Sequence, residues 1–459
     1  MKTEGVGNMD TLSDELQEQE YLGYWWLPVK DGQNPERRAG IIHFKPDHRA
    51  DLDLLGSFES AVHGFNVPLK KYPVIQGAAH GQKRITLLDC ATSKRNVDMF
   101  DLELADVRIS FIEGWVGREV YASKDEIRFW SFEAGMYGLS AWHNANAFES
   151  KYDFENHITE LHYVRPKSID LFKDDLVEIK LGYSWQGASQ SLAQCEGKIS
   201  HDPRIVIKSL DGKLPYYGER GSYHFYLSRI RTILGLMIGR GCPLYDCTGL
   251  VTKFDRKDNG KIINEVILRH LWRRDIETPQ PFSPFDVWIP YVDVAQCLTK
   301  VVQNFIAIDE ASAGFAGHLV YMNGSRRSCF TQGVLPELVY MFEGLHRGLC
   351  DSHDRVFLKD RFEDEFSRIG SVFPFVDLAT RDLLIDYVKG CRNAYSHADP
   401  DSHQRNFLLY IYATNWMRMF LVAMLLEICG MPAVDIYRAL RKNHEYCLIA
   451  EKLVPLLHN

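Results

Sequence analysis

The segment Arg392-Asn393-Ala394-Tyr395-Ser396-His397 sets a guanidinium five positions before an imidazole, just ahead of Asp399-Pro400. Arginine carries a permanent cation suited to a phosphate oxygen, and histidine moves protons near neutral pH. These are the two groups that metal-free cleavage of an RNA strand needs: charge stabilisation at phosphorus and proton transfer at the ribose. Spacing alone decides little, because Arg38 with His43, Arg347 with His353 and Arg438 with His444 have similar gaps. Asn393 and a position at the end of a helical pattern before a proline distinguish Arg392 and His397. The structural alternative is a cation and a capping histidine at a helix C-terminus, which is common and functionless.

The elements that must hold this segment are helical. From about Tyr291 to the end the apolar residues recur with helical period. Pro336 sits where a first-turn proline belongs, and Leu338, Met341, Phe342 and Leu345 form one apolar face. Leu358, Phe362, Phe366 and Ile369 form the next. A third helix runs from about Leu378 and should stop near His397, because Pro400 disfavours helical geometry at Asp399. A fourth spans about Ser402 to Glu427, and short helices follow Met431. Such a series reads as an α-helical bundle.

The N-terminal half reads differently. Ala39 to Phe44, Leu52 to Leu55, Ile85 to Leu88, Val107 to Ile112, Ile158 to Val164, Leu176 to Trp185 and Arg204 to Ser209 are candidate strands between Gly, Pro, Asp and Asn turns. A helical stripe between Ser222 and Gly239 interrupts them, and Ile262 to Trp272 fits a strand or a short helix. The expected fold is therefore α+β: residues 1–20 a loose arm, 21–290 a β-rich region, divisible near 150 into two lobes, and 291–459 a helical domain.

The chain has 459 residues, 46% hydrophobic and 25% charged, the composition of a soluble globular protein. A net charge of −8 argues against a general electrostatic grip on nucleic acid, so an RNA substrate would need a local cationic cleft. Ten cysteines without a repeating framework suggest reduced thiols and a cytoplasmic setting. The polar, acidic N-terminus resembles neither a signal nor a transit peptide. The most apolar run, Trp416 to Cys429, is read as a buried core helix too short for a membrane span.

The helical region with RNAYSH at the end of its third helix resembles a HEPN domain, and FEGLHR (Phe342 to Arg347) is similar to the first-helix signature of ApeA-type HEPN proteins. LGYWWLP (Leu22 to Pro28), AGIIHFKP (Ala39 to Pro46), LDLLGSF (Leu52 to Phe58), IQGAAHGQKRITLLDC (Ile75 to Cys90) and LSAWH (Leu139 to His143) resemble the ApeA N-terminal domain. Two separated blocks in the right order are far more specific than either alone. The resemblance implies a bacterial abortive-infection protein, triggered by a phage-encoded factor and cutting host RNA, with transfer RNA suggested by analogy to related toxins.

On that resemblance His397 would deprotonate the ribose 2′-OH or protonate the leaving 5′ oxygen, and Arg392 would hold the scissile phosphate. The product would be a 2′,3′-cyclic phosphate, with no cofactor and no catalytic metal. Asn393 would orient His397 or a phosphate oxygen, or simply make a structural hydrogen bond. Glu343 is a candidate to pair with Arg392, against the alternative of a solvated carboxylate. Tyr395 would stack on a base or, in the preferred reading, pack. Five positions along a helix turn by about 140°, so one protomer leaves Arg392 and His397 on different faces. A homodimer or higher even assembly would join two motifs across a two-fold axis.

Other constellations are weaker. Cys242 and Cys247 have ligand-like spacing but no second pair at zinc-finger distance. HLWRR (His270 to Arg274) offers Arg273 and Arg274 as RNA contacts, although a short charge run is more often a solvated face. Tyr24, Trp25 and Trp26 are read as filling the β core rather than as a ligand platform. No Walker A, GxGxxG, HExxH or GxSxG pattern is present. The competing function is a non-catalytic HEPN module that binds RNA or a nucleotide, with the β-rich region recognising a partner. A carbohydrate-binding β protein with a helical dimerisation tail is a third reading.

Overall fold

The computed structural model describes residues 19–458 apart from 31, 45–49, 59–69, 97–105, 146, 154, 156–157, 191–196, 213, 253–265, 273–282, 325–332, 351–355 and 398–405. The protein is α+β, with strands dominating the first half and helices the second. It divides into two compact units. One comprises Met1–Tyr137, Lys173–Phe225 and Pro243–Gln280; the other comprises Gly138–Phe172, Tyr226–Cys242 and Pro281–Asn459. The expected loose arm falls almost wholly outside the described residues, since the first strand starts at Gln19.

The strand unit begins with a closed six-stranded barrel. Its strands are β1 (Gln19–Trp26), β2 (Arg38–Phe44), β3 (Asp51–Leu55), β4 (Lys71–Ala79), β5 (Lys83–Asn96) and β6 (Asp106–Ser110). They pair antiparallel in the order β5-β4-β1-β2-β3-β6, and β6 returns to β5 with Ala91 opposite Ser110. Alternation puts Leu52 and Leu54 of β3 inside, with Ile42, Ile75, Ile85, Leu87 and Ile109 from other strands. Trp25 is fully buried and donates its indole N–H to the Gly40 carbonyl at 3.1 Å. Its ring lies so close to Gly77 that a Cβ there would come within 2.2 Å of it. Tyr24, expected in the same core, is exposed on the side of the strand opposite Trp25; Trp26 shares that side but is buried, its indole N–H donated to Gln76 Oε1 at 2.8 Å.

β5 joins the barrel to the open part of the same thirteen-stranded sheet. Residues Arg84 to Leu88 pair with β7 (Glu113–Gly117), and Ala91 to Asn96 pair with β6. The switch falls at Asp89, which has φ +51°, a left-handed conformation that Asp tolerates better than most residues. From β7 the sheet continues through β17 (Val266–Trp272), β16 (Leu244–Thr252), β9 (Ser131–Met136), β14 (Gly197–Ser209) and β13 (Val177–Gln190). The ambiguous segment before Trp272 is thus a strand from Val266 onward.

The helical unit is built on α9 (Phe407–Ile428), with α6 (Val334–Leu349), α7 (Leu358–Ile369), α8 (Leu378–Ser396), α10 (Ala433–Leu440) and α11 (His444–His458). α9 is buried continuously from Trp416 to Leu426, with apolar side chains round the helix except at Arg418. Its 22 residues are long and apolar enough to cross a membrane by length and composition, which corrects the shorter run read from the sequence; 72% of its apolar 18-residue stretch is buried inside the protein, as a core helix would be. Phe342 stacks on Phe362 at 4.4 Å between ring centres, and Phe420 packs edge-on and tilted against both. Earlier segments complete this unit. Trp142 donates to the Ile289 carbonyl at 2.9 Å, and Arg229 of α2 (Tyr223–Ile238) pairs with Glu310 of α5 (Glu310–Gly324) at 2.7 Å. α2 and α5 approach closely at Gly235, where a Cβ would lie 2.7 Å from Val320.

Candidate active site

α8 starts at Asp377, whose carboxylate accepts from the Thr380 amide at 2.8 Å, a hydrogen bond that lowers its pKa. The helix buries Leu384, Ile385, Val388, Cys391 and Ala394. That stripe fixes which neighbours Arg392 meets. Its last helical residue is Ser396, and the His397 amide still bonds the Asn393 carbonyl at 3.0 Å. Pro400 and Asp399 lie outside the described residues.

Arg392 faces α6. Its Nη2 donates to both oxygens of Glu343, at 2.9 and 3.0 Å, so the carboxylate is engaged by a single nitrogen. Nη1 donates to Asn393 Oδ1 at 3.1 Å, and Nε is buried without a hydrogen bond. The guanidinium lies over the Tyr340 ring, 5.5 Å from its centre, and its side chain is 30% exposed. It is oriented by a carboxylate, an amide and an aromatic face while its outer edge reaches solvent. That is a suitable state for a group that meets a phosphate: fixed in direction and short of hydrogen-bond partners.

The expected residues come together unequally. Arg392, Asn393 and Glu343 form one connected group, and Asn393 spends its oxygen on Arg392 rather than on His397. His397 is exposed at the helix end, and no hydrogen bond joins its ring to Arg392 among the described residues. Because α8 does not fray before Ser396, the helical twist keeps the two side chains on different faces. Tyr395 is 57% exposed, with its hydroxyl end close over Gly333, so its packing is one-sided. Arg273 and Arg274 lie outside the described residues. Cys242 and Cys247 are buried thiols outside any disulfide, and they donate to the carbonyls of Arg240 at 3.2 Å and Tyr245 at 3.9 Å.

Two participants escaped the sequence reading. Tyr340 stands three residues before Glu343 on the same face of α6, and its hydroxyl hydrogen-bonds Ser396 Oγ, which in turn donates to the Arg392 carbonyl at 2.8 Å. The i, i+3 spacing of Tyr340 and Glu343 was the available signal.

A helical bundle with an arginine and a histidine closing one helix, and an acid meeting the arginine from the next, has the layout of a HEPN domain. Residues 337–435 match the Apea-like HEPN family, and residues 20–213 match ApeA N-terminal domain 1. The chain is an ApeA-type HEPN protein, with the two domains in that order. Neither the curated proteins nor the solved structures yield a match. HEPN domains are generally ribonucleases, which places the chain in a coarse hydrolase class associated with defence against phage.

Proposed function

We propose that this protein is a metal-independent endoribonuclease effector of abortive infection that cleaves host RNA, with transfer RNA the favoured substrate. The observation that carries this reading is the Glu343–Arg392 pair, which holds a partly exposed guanidinium near the end of α8, the helix that a solvent-facing His397 closes.

The chemistry follows from the groups. The ribose 2′-oxygen loses its proton to an imidazole and attacks phosphorus, the P–O5′ bond breaks, and the departing 5′ oxygen takes up a proton. The products are a 2′,3′-cyclic phosphate and a 5′-hydroxyl. Arg392 stabilises the charge that builds on the phosphoryl oxygens through the solvent-facing part of its guanidinium, which Glu343 and Asn393 hold in direction. Base and acid are needed on opposite sides of the phosphorus. A two-fold dimer supplies both with one His397 from each copy, and resolves the separation that the α8 twist imposes within one chain. The β-rich region then senses a phage-encoded trigger or restrains the helical domain, and the enzyme acts in the cytoplasm.

Incubation of the purified protein with total RNA in EDTA tests this. Cleavage with 2′,3′-cyclic ends is expected, and it should vanish with His397→Ala. Undiminished cleavage by a folded His397→Ala protein would overturn the assignment. RNA retention without any cleavage would favour the binding module instead.

A further inference from the structure

One helical turn beyond Glu343, α6 carries a second polar group that the proposed reaction does not use. His346 is buried in the helix, and Cys350 caps its C-terminus four residues on. Glu365 on the neighbouring α7 is fully buried. The nitrogen, sulfur and oxygen that these three offer all lie within 4.8 Å of one another. We propose that His346, Cys350 and Glu365 bind a divalent transition-metal ion of the zinc class, as a clip between α6 and α7 that leaves one coordination position open.

The surroundings favour a cation. Neither oxygen of Glu365 accepts a hydrogen bond, which is rare for a fully buried carboxylate and costly unless a positive group completes it. Arg368 Nη1, 3.6 Å from Oε2, pairs with it by charge without making a hydrogen bond. The two softer donors already point their lone pairs at positive groups. Arg361 Nη1 lies 3.0 Å from His346 Nδ1, and Arg368 Nη1 lies 3.2 Å from Cys350 Sγ and 3.6 Å from Glu365 Oε2. Arg368 therefore stands where the ion would sit, and Arg361 on the nitrogen it would take, so ligation displaces a guanidinium nitrogen from each donor. Nε and Nη2 of Arg368 both reach Glu427 Oε2, at 3.1 and 2.6 Å, so that guanidinium can pivot as a whole about this oxygen and carry Nη1 away.

The other side of the imidazole is arranged for ligation. His346 Nε2 lies 2.8 Å from Asp364 Oδ2, and a ring that donates there has Nδ1 free of a proton. A carboxylate behind a ligating histidine is the usual means of fixing its tautomer and orientation. Three carboxylates, Asp364, Glu365 and Glu427, face two guanidinium groups, so the cluster has room for added positive charge. Tetrahedral zinc with bonds of roughly 2.0–2.3 Å sets donors roughly 3.4–3.8 Å apart, so closing the set needs displacements of about an ångström. Nitrogen, thiolate and carboxylate together suit zinc or cobalt better than magnesium or calcium.

The test reads binding and is independent of ribonuclease activity. The full-length protein, stripped with a chelator, is titrated with Co²⁺ and followed by absorption. A single equivalent with a thiolate-to-cobalt band, displaced by Zn²⁺, is expected. Cys350→Ser should abolish the band, and Glu365→Gln and Asp364→Asn should each weaken binding by at least about tenfold. No thiolate band at stoichiometric Co²⁺, or a band unchanged in Cys350→Ser, would overturn the proposal. Should a variant fail to fold, alkylation of wild-type Cys350 mapped by mass spectrometry decides. Zn²⁺ must slow it, and an unchanged rate counts against the site.

Discussion

The two compact units treat charge in opposite ways. Among the described residues of the strand unit the buried polar side chains are neutral: Gln76, Thr86, Thr92, Ser209 and Ser222. In the helical unit Arg229, His346, Arg361, Glu365 and Arg418 are all buried. A buried ion that loses its partner destabilises a protein strongly, whereas an apolar core of similar volume carries no such liability. The barrel core is thus built as a scaffold around Trp25 and its aliphatic neighbours. The helical unit instead buries ionisable groups and accepts their desolvation, and the residues of the proposed reaction and of the proposed metal site lie in it.

That contrast can be broken at its strongest point first. Trp25→Ala removes the largest side chain of the barrel core and should cost about 3–5 kcal/mol. Amide exchange across β1 to β6 would show it, and a cost under about 1 kcal/mol would mean that this core is not the scaffold. In the helical unit, Arg392→Ala or His397→Ala should lower RNA cleavage at least ~100-fold, about 3 kcal/mol of transition-state stabilisation, without shifting the unfolding midpoint. A matching loss of stability would move Arg392 from chemistry to structure.

Glu365 sharpens the comparison through pH. Burial raises its pKa from 4.5 to about 7, so the folded protein holds this proton more tightly than the unfolded chain does. Its stability contribution is complete below about pH 4.5 and is lost as pH climbs through about 7. In a chelator, Glu365→Gln should flatten that decline and gain up to on the order of 3 kcal/mol above pH 7. Identical pH profiles for the two proteins would show that the carboxyl is not strained by burial. The smallest effect is local. Asn406 accepts from the amides of Leu408 and Leu409 at 3.1 and 3.4 Å, and Asn406→Ala should cost about 1 kcal/mol by urea unfolding.

The legible features are those written in short-range pattern. The strands of the first half and the helices from α6 to α9 follow from alternation and from the stripes of Leu338, Phe342, Phe362 and Ile369. Closure of the barrel is not local, because β3 meets β6 across more than fifty residues and no residue type announces it. At the site, RNAYSH and Glu343 were readable because a family pattern carries them. Tyr340 and Ser396 were not, since their roles depend on how α6 and α8 pack. The His346 and Cys350 spacing was open to view, but Glu365 joins them only through the contact of α6 with α7.

β5 gives one more consequence. Its fourteen residues serve the barrel at one end and the open sheet at the other, with Asp89 between. A slip of one residue would turn its side chains over in both parts at once, so the cost of misregister is doubled. β5 therefore acts as a shared key that lets neither part drift without the other, and the two should exchange their amide hydrogens as one cooperative body.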